Sequence, residues 1–182
     1  MLATSGIGVI LEETGYVHVG SYAMQTMTWR DLDFELYADE DWDANWEVGT
    51  RLAQTGWCLR LQCEDVSREG GRGLYWGLRV GDPPRTFPDS KNNPEVWKLD
   101  LWRAPLAAFQ AQGMERRERW AALMTEERRA DILAIKEALC YGPEYRKTIV
   151  SVHIYEAVLE HGAQTLEEFQ RWWEQSQPAP GR

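Results

Sequence analysis

Alternating apolar and polar residues dominate the first half of the chain. The run GWCLRLQCEDV (56–66) places Leu59 and Leu61 on one face and polar side chains on the other. Alternation over roughly four to eight residues is typical of a half-buried β-strand. Further strands are predicted at 16–19, 31–38, 73–80 and 96–104.

One segment of this half favours a helix. It is DWDANWEVGTRLAQTG, residues 41–56. Asp43 is predicted to cap its start and Gly56 to end it. Trp46 and Leu52 are predicted to form its inner face, together with Val48.

The second half has helical spacing throughout. Apolar residues recur three and four positions apart over 105–124, 126–140 and 144–160. Thr125 is a predicted N-cap, and Thr165-Leu-Glu-Glu168 is a capping-box pattern that opens a last helix through Trp173. The chain is therefore predicted to be α+β. It has an α+β core at 1–104, a C-terminal helical bundle at 105–176 and a disordered tail at 177–182.

Composition restricts the classes of partner. The chain has 182 residues, 43% of them hydrophobic, and a net charge of −9, so binding to DNA through phosphate neutralisation is not expected. No apolar run approaches the roughly 20 residues of a membrane span, and the N-terminus lacks the pattern of a signal peptide. We expect a soluble, cytoplasmic protein. Ten tryptophans suit core packing or stacking on a flat ligand, and they leave room for a homodimer.

Two aspartates stand in the strand-like run DLDFELY. Alternate side chains of a strand share a face, so Asp31 and Asp33 project together, with Leu32 and Phe34 opposite. Paired carboxylates repel unless a cation joins them, and Mg²⁺ prefers oxygen ligands. A lone Asp-x-Asp is more often a solvated strand or turn, so the pattern needs further support.

Two further features supply that support. Gly20-Ser21 follows a short strand and precedes residues that suit a helix, an arrangement that can bind a phosphate. Asp100 interrupts an apolar run between Leu99 and Leu101. A third carboxylate on an adjacent strand would complete a site for two metal ions.

The order of these residues resembles the DNA polymerase β-like nucleotidyltransferase superfamily. Gly20-Ser21 is followed by an Asp-Leu-Asp strand and then by Leu-Asp-Leu on a later strand. The chain looks most like small bacterial members, with one mixed-sheet core and a helical C-terminal part. Aminoglycoside and lincosamide nucleotidyltransferases belong to the same superfamily. The resemblance covers roughly residues 16–104.

The resemblance implies a role for each matching residue. Gly20 and Ser21 would hold a nucleoside triphosphate. Asp31, Asp33 and Asp100 would bind two Mg²⁺ ions, with Asp100 also a base toward the acceptor hydroxyl. Many members carry an Arg and a Gly soon after the Ser, where this chain has Met24-Gln25. Positive charge for the triphosphate could come instead from Arg30 or Lys98.

Together these features predict an enzyme that transfers a nucleoside monophosphate to a hydroxyl and releases pyrophosphate. A small-molecule acceptor is favoured. The acidic run ADEDWDANWE (38–47) would attract a cationic, antibiotic-like one. A protein or RNA acceptor is the alternative, with RNA requiring a basic patch of Arg116, Arg117, Arg119, Arg128 and Arg129. A nucleotide-binding or interaction module without catalysis is the third possibility. The preferred base is not predicted.

Overall fold

The structure is a computed structural model that describes residues 1–67, 73–81, 96–111, 113–145 and 147–177. Within them, helices and strands follow the order α1–α2–β1–α3–β2–α4–β3–β4–β5–α5 to α9. The strands are β1 Val17–Val19, β2 Asp31–Tyr37, β3 Cys58–Asp65, β4 Leu74–Val80 and β5 Trp97–Ala104. The helices are α1 Leu2–Ser5, α2 Ile7–Glu13, α3 Gly20–Ala23, α4 Trp42–Gln54, α5 Leu106–Ala111, α6 Met114–Leu123, α7 Glu126–Leu139, α8 Ser151–Leu159 and α9 Leu166–Ser176.

The five strands form one mixed sheet in the order β1-β2-β5-β4-β3. Strands β2 and β5 pair in parallel, and the other three pairings are antiparallel. The predicted α+β class, the mixed sheet and the C-terminal helices are confirmed. The predicted tail falls almost entirely outside the described residues, which end at 177.

The chain divides into two compact units. The first, here called the sheet unit, comprises Met1–Met24 and Trp29–Met114. The second, the helical unit, comprises Gln25–Thr28 and Glu115–Arg182. The four residues Gln25–Thr28 thus belong to the helical unit, although they lie between α3 and β2 along the chain.

The core of the sheet unit lies on the apolar face of the sheet. Alternate positions of β2, β4 and β5 are buried there, because successive side chains of a strand point to opposite faces. These residues are Leu32, Phe34, Leu74, Trp76, Leu78, Leu99 and Leu101. Helices α1 and α2 were not predicted from the sequence, and α2 adds Ile7 and Leu11 to the buried residues.

Helix α4 departs from its predicted details. Asp41, not Asp43, is the N-cap, and its carboxylate accepts a hydrogen bond from the Ala44 N–H. Val48 and Leu52 are buried as predicted, but Trp46 is 52% exposed and lies edge-on to Trp76. The helix starts at Trp42, two residues earlier than a cap at Asp43 would allow. Its buried residues include Asn45 and exclude Trp46.

The helical predictions hold at two caps. Thr125 accepts from the Arg128 N–H, and Thr165 accepts from the Glu168 N–H while the Glu168 carboxylate accepts from the Gln164 N–H. The predicted helix over 105–124 is instead two helices, since Gly113 adopts φ 98°, outside the helical range. The helix predicted from residue 144 begins at Ser151.

A buried lysine fixes Gln25–Thr28 within the helical unit. Lys136 is 1% exposed, and its ammonium donates to the Thr26 carbonyl at 2.6 Å. The Thr26 and Tyr155 hydroxyls are 2.8 Å apart. Buried polar groups are stable when they are hydrogen-bonded in this way. The chain that leaves α3 is therefore anchored to α7 and α8 before it enters β2.

Among the described residues, no helix has the length and apolar character needed to cross a membrane.

The contact between α4 and the sheet yields a stability prediction. A Cβ on Gly49 would overlap the Trp76 ring, with the ring atom Cη2 only 2.7 Å away. The indole N–H of Trp76 donates to the Asn45 carbonyl at 3.1 Å. Gly49→Val should lower the free energy of unfolding by about 2 kcal/mol or more, because overpacking of a rigid core is destabilising. Urea unfolding measures this.

The matched control is Thr50→Val, which places the same side chain at the next, exposed position of α4. It should change stability by no more than about 0.5 kcal/mol. Equal stability of the two variants would show that α4 does not pack on Trp76 in this way.

Candidate active site on the polar face of the sheet

The register of the sheet places the predicted carboxylates in adjacent rows on its polar face. Asp31 of β2 lies opposite Lys98 of β5. In the next row Asp33 lies opposite Asp100, and Asp100 lies opposite Gly77 of β4. Side chains that are directly opposite on paired strands are close neighbours. The parallel pairing of β2 with β5 therefore brings Asp100 next to Asp31 and Asp33, although it lies 67 residues after Asp33 in the sequence.

Lys98 lies between two of these carboxylates. Its ammonium is 3.2 Å from Asp31 Oδ1 and also contacts Asp100 Oδ2. Burial lowers the pKa of Lys98, but the charges of Asp100 and Asp31 outweigh this and hold it above its ordinary value. Lys98 is therefore an ammonium at neutral pH, and it supplies positive charge to the carboxylates directly.

Neutral donors hold the other oxygens of the same two aspartates. The Tyr75 hydroxyl donates to Asp100 Oδ1 at 2.8 Å, and the Trp29 indole N–H donates to Asp31 Oδ2 at 3.2 Å. Burial, then the neighbouring Asp100 charge, raises the pKa of Tyr75, so the hydroxyl remains a donor at neutral pH. These bonds orient Asp31 Oδ1 and Asp100 Oδ2 toward one shared cation.

Gly77 makes the Tyr75 contact possible. A Cβ at Gly77 would lie 2.6 Å from the Tyr75 hydroxyl oxygen and 3.1 Å from its ring. Because Gly77 has no side chain, the Tyr75 side chain can lie over it and reach Asp100 on β5. Sequence reasoning missed Tyr75. The glycine inside the run LYWGLRV was its only indication, since such a glycine often marks close approach by another group.

Gly20 lies against Asp33. It adopts φ 65° at the start of α3, and a Cβ there would be 2.6 Å from Asp33 Oδ2. Only glycine satisfies both constraints. Ser21 follows within α3 and is half-buried. The Gly-Ser turn and the Asp-Leu-Asp strand are thus neighbours in space, as well as close in sequence.

The turn after α3 has a conformation that usually requires glycine. Gln25 adopts φ 57°, which is uncommon for a residue with a side chain. This is the place at which many of the nucleotidyltransferases that the chain resembles carry a glycine. Gln25 belongs to the segment Gln25–Thr28, which is part of the helical unit.

Arg30 is not brought to the carboxylates by any described contact. It is exposed at the start of β2, and its guanidinium carbon lies 5.6 Å from the centroid of the Trp97 ring. Lys98, the other predicted source of positive charge, contacts the carboxylates instead. It can do so because it lies on the polar face of β5, opposite Asp31 and two residues before Asp100.

A fourth acid continues the row along β2. Glu35 is fully buried two positions after Asp33, and its carboxylate accepts from the Tyr37 hydroxyl at 3.2 Å. Glu35 lies opposite Trp102, whose ring is tilted against the Tyr75 ring with the centroids 4.5 Å apart. Glu35 was not predicted as a site residue, although the alternation Asp-Leu-Asp-Phe-Glu places it on the same face as Asp31 and Asp33.

The carboxylates suit a hard divalent cation but do not form a preassembled metal centre. Among the described residues, no group of three acidic, histidine or cysteine side chains is arranged to hold a metal ion. The donor set of Asp31, Asp33 and Asp100 is nevertheless the all-oxygen type that Mg²⁺ prefers. Two of its members already share one cation, the Lys98 ammonium. A metal ion would take the position that the ammonium holds.

Comparisons with known proteins assign no family to the chain. No protein-family model matches its sequence, and no curated protein matches it at a significant level. The resemblance to nucleotidyltransferases therefore stays a prediction that depends on Gly20, Ser21 and the three aspartates.

Loss of the Tyr75 hydroxyl should weaken the site. Tyr75→Phe removes a hydrogen bond to a partly buried carboxylate, so we expect a loss of about 1–3 kcal/mol in unfolding free energy. Urea unfolding at neutral pH measures it. Tyr22→Phe is the control, because Tyr22 is exposed and its described contact is the ring of His18. A Tyr75 variant as stable as the control would contradict the bond to Asp100.

Proposed function

We propose that the protein is a Mg²⁺-dependent nucleotidyltransferase. It transfers a nucleoside monophosphate from a nucleoside triphosphate to a hydroxyl of a small molecule. The acceptor oxygen forms a bond to the α-phosphorus, the bond from that phosphorus to the pyrophosphate oxygen breaks, and the acceptor proton passes to Asp100. The observation that supports this best is the meeting of Asp33, Asp100 and Gly20 on one face of the sheet.

Each residue has a physical role in this proposal. Asp31, Asp33 and Asp100 would hold Mg²⁺, which when bound stabilises charge on the attacking and leaving oxygens. Gly20 allows the backbone to approach the triphosphate, since no Cβ stands there. Ser21 adds a hydroxyl at the same turn. Lys98 lies beside Asp31 and Asp100, so its ammonium would be close enough to contact a phosphate held next to them by the metal ion.

The acidic run next to β2 favours a cationic acceptor. Asp39, Glu40, Asp43 and Glu47 are exposed at the start of α4. Arg103 neutralises part of this negative charge. Its guanidinium lies 3.8 Å from the Asp41 carboxylate and also donates to the Asp39 carbonyl. The remaining acids give this edge of the sheet unit a negative potential, which attracts cations over about 8–10 Å at ordinary ionic strength.

An RNA acceptor has less support. All five arginines that would form a basic patch have interactions in the described structure. Arg116 lies over the Trp120 ring, Arg119 pairs with Glu160, Arg128 donates to the Leu123 carbonyl and Arg129 pairs with Glu126. Phosphate binding by these side chains would compete with those contacts.

A second candidate is a nucleotide-binding module without catalysis. The Lys98 ion pairs favour it, because a lysine that neutralises two carboxylates is also a common way to stabilise a buried charge cluster. The two candidates differ in turnover. The enzyme releases pyrophosphate from a nucleoside triphosphate when an acceptor is present, and the module binds the nucleotide unchanged.

The catalytic assignment predicts that single amide substitutions abolish activity. Asp31→Asn, Asp33→Asn and Asp100→Asn should each lower Mg²⁺-dependent pyrophosphate release by roughly a hundredfold or more, since each carboxylate accounts for several kcal/mol of charge stabilisation. Pyrophosphate detection with each nucleoside triphosphate and an acceptor panel is the measurement.

Glu137→Gln is the matched control. It removes an exposed carboxylate from α7, which belongs to the helical unit and not to the sheet unit. Its activity should stay within about twofold of the native protein. Full activity after either Asp31→Asn or Asp33→Asn would refute the assignment.

The acceptor assignment predicts a salt-dependent preference. Cationic acceptors such as aminoglycosides should show a lower KM than neutral polyols at low salt, and this advantage should shrink as salt screens the acidic run. Steady-state kinetics on matched cationic and neutral acceptors at two ionic strengths measures it. Equal KM values at low salt would exclude attraction by residues 38–47.

A further inference from the structure

Two oxygens of the site already form a cation-binding pair. The Tyr75 hydroxyl holds one oxygen of Asp100, and the Trp29 indole holds one oxygen of Asp31. The second oxygen of each carboxylate contacts the Lys98 ammonium. A cation is therefore bound at this position by the chain itself.

The position of Lys98 suits exchange. Its side chain is 29% exposed, whereas the side chains of Asp31 and Asp100 are 18% and 13% exposed. A lysine has a flexible four-carbon stem and a compact, strongly hydrated charge. The ammonium can therefore leave along the solvent-facing side while the two carboxylates stay in place.

A divalent ion and the ammonium exclude each other at these oxygens. Like charges a few Å apart repel strongly where the surroundings are partly buried. A divalent ion that enters must therefore displace the ammonium, and the displaced charge needs a new partner. The phosphates of a nucleoside triphosphate at Gly20-Ser21 would provide one, since Gly20 lies against Asp33 in the next row.

We propose that Lys98 is an exchangeable internal cation that makes divalent metal binding depend on the nucleotide. Without nucleotide, the ammonium occupies the Asp31–Asp100 pair and keeps Mg²⁺ affinity low. When a nucleoside triphosphate binds, Lys98 moves to its phosphates and the carboxylates accept the metal. This inference rests on the proposed function, and it adds a control on the order in which the site fills.

Linkage makes this coupling measurable from either side. If the nucleotide raises the affinity for Mg²⁺ by some factor, Mg²⁺ raises the affinity for the nucleotide by the same factor. Removal of the ammonium should therefore do two things. It should raise the affinity for Mg²⁺ alone, and it should reduce the gain that the nucleotide brings.

Calorimetric titration with MgCl₂ alone tests the first effect. Lys98→Met should bind Mg²⁺ at least tenfold more tightly than the native protein in the absence of nucleotide. Lys98→Gln provides a second, polar variant in case the methionine variant does not fold. Arg79→Met is the charge-matched control, because Arg79 lies opposite Lys98 on β4 and faces the same side of the sheet. It should raise the affinity by no more than about threefold, the effect of a screened neighbouring charge.

The second titration adds a nucleoside triphosphate with a methylene bridge between the α- and β-phosphorus atoms, which cannot be cleaved there. It should raise Mg²⁺ affinity at least tenfold in the native protein and by less than threefold in the Lys98 variants. Equal Mg²⁺ affinity of native protein and Lys98 variants, or an equal gain in the Lys98 and Arg79 variants, would overturn the proposal.

The failure of the proposed function would look different. If the expected Mg²⁺ affinities are observed but no nucleoside triphosphate yields pyrophosphate, the cation exchange stands and catalysis is refuted. If pyrophosphate is released while the Lys98 variants bind Mg²⁺ like the native protein, the exchange alone is refuted.

Discussion

The parallel pairing of β2 with β5 is the constraint on which the site depends. It places Asp33 opposite Asp100 and Asp31 opposite Lys98, so that three acids and one base meet on one face of the sheet. A shift of β2 by one residue would move Asp31 and Asp33 to the apolar face, away from Lys98 and Asp100. Leu32, Leu99 and Leu101, buried on that face, therefore fix the register that assembles the polar site.

The charge cluster tolerates partial burial because Asp31 and Asp100 have charged and polar partners. Lys98 neutralises both carboxylates, and Tyr75 and Trp29 donate hydrogen bonds to them. Removal of one partner from such a cluster leaves a desolvated charge behind, which is more costly than loss of the contact alone. The same network that stabilises the folded chain also presents two carboxylate oxygens to a cation, so stability and the proposed chemistry share their residues.

Much of the fold was readable from the sequence, because its strands alternate and its helices carry caps. The five strands of the described residues lie where the sequence predicted them, and Thr125 and Thr165 cap their helices. The errors are local: Gly113 divides a predicted helix, and α4 is capped by Asp41 and leaves Trp46 exposed. The site was predicted less completely. Lys98 was expected near a phosphate, but its bridge between Asp31 and Asp100 depends on register, which a single sequence does not specify. Tyr75 reaches Asp100 across Gly77, a contact between strands that no periodicity reveals.

The central claim is that Asp31, Asp33 and Asp100 form a site for a divalent cation and a nucleoside triphosphate. Anomalous diffraction from crystals grown with Mn²⁺ and a non-cleavable nucleoside triphosphate would test it most directly. We expect an anomalous peak bound by these three carboxylates, phosphates beside Gly20-Ser21, and the Lys98 ammonium moved from Asp31 to a phosphate oxygen. Manganese bound elsewhere, with Lys98 still between Asp31 and Asp100, would contradict the account.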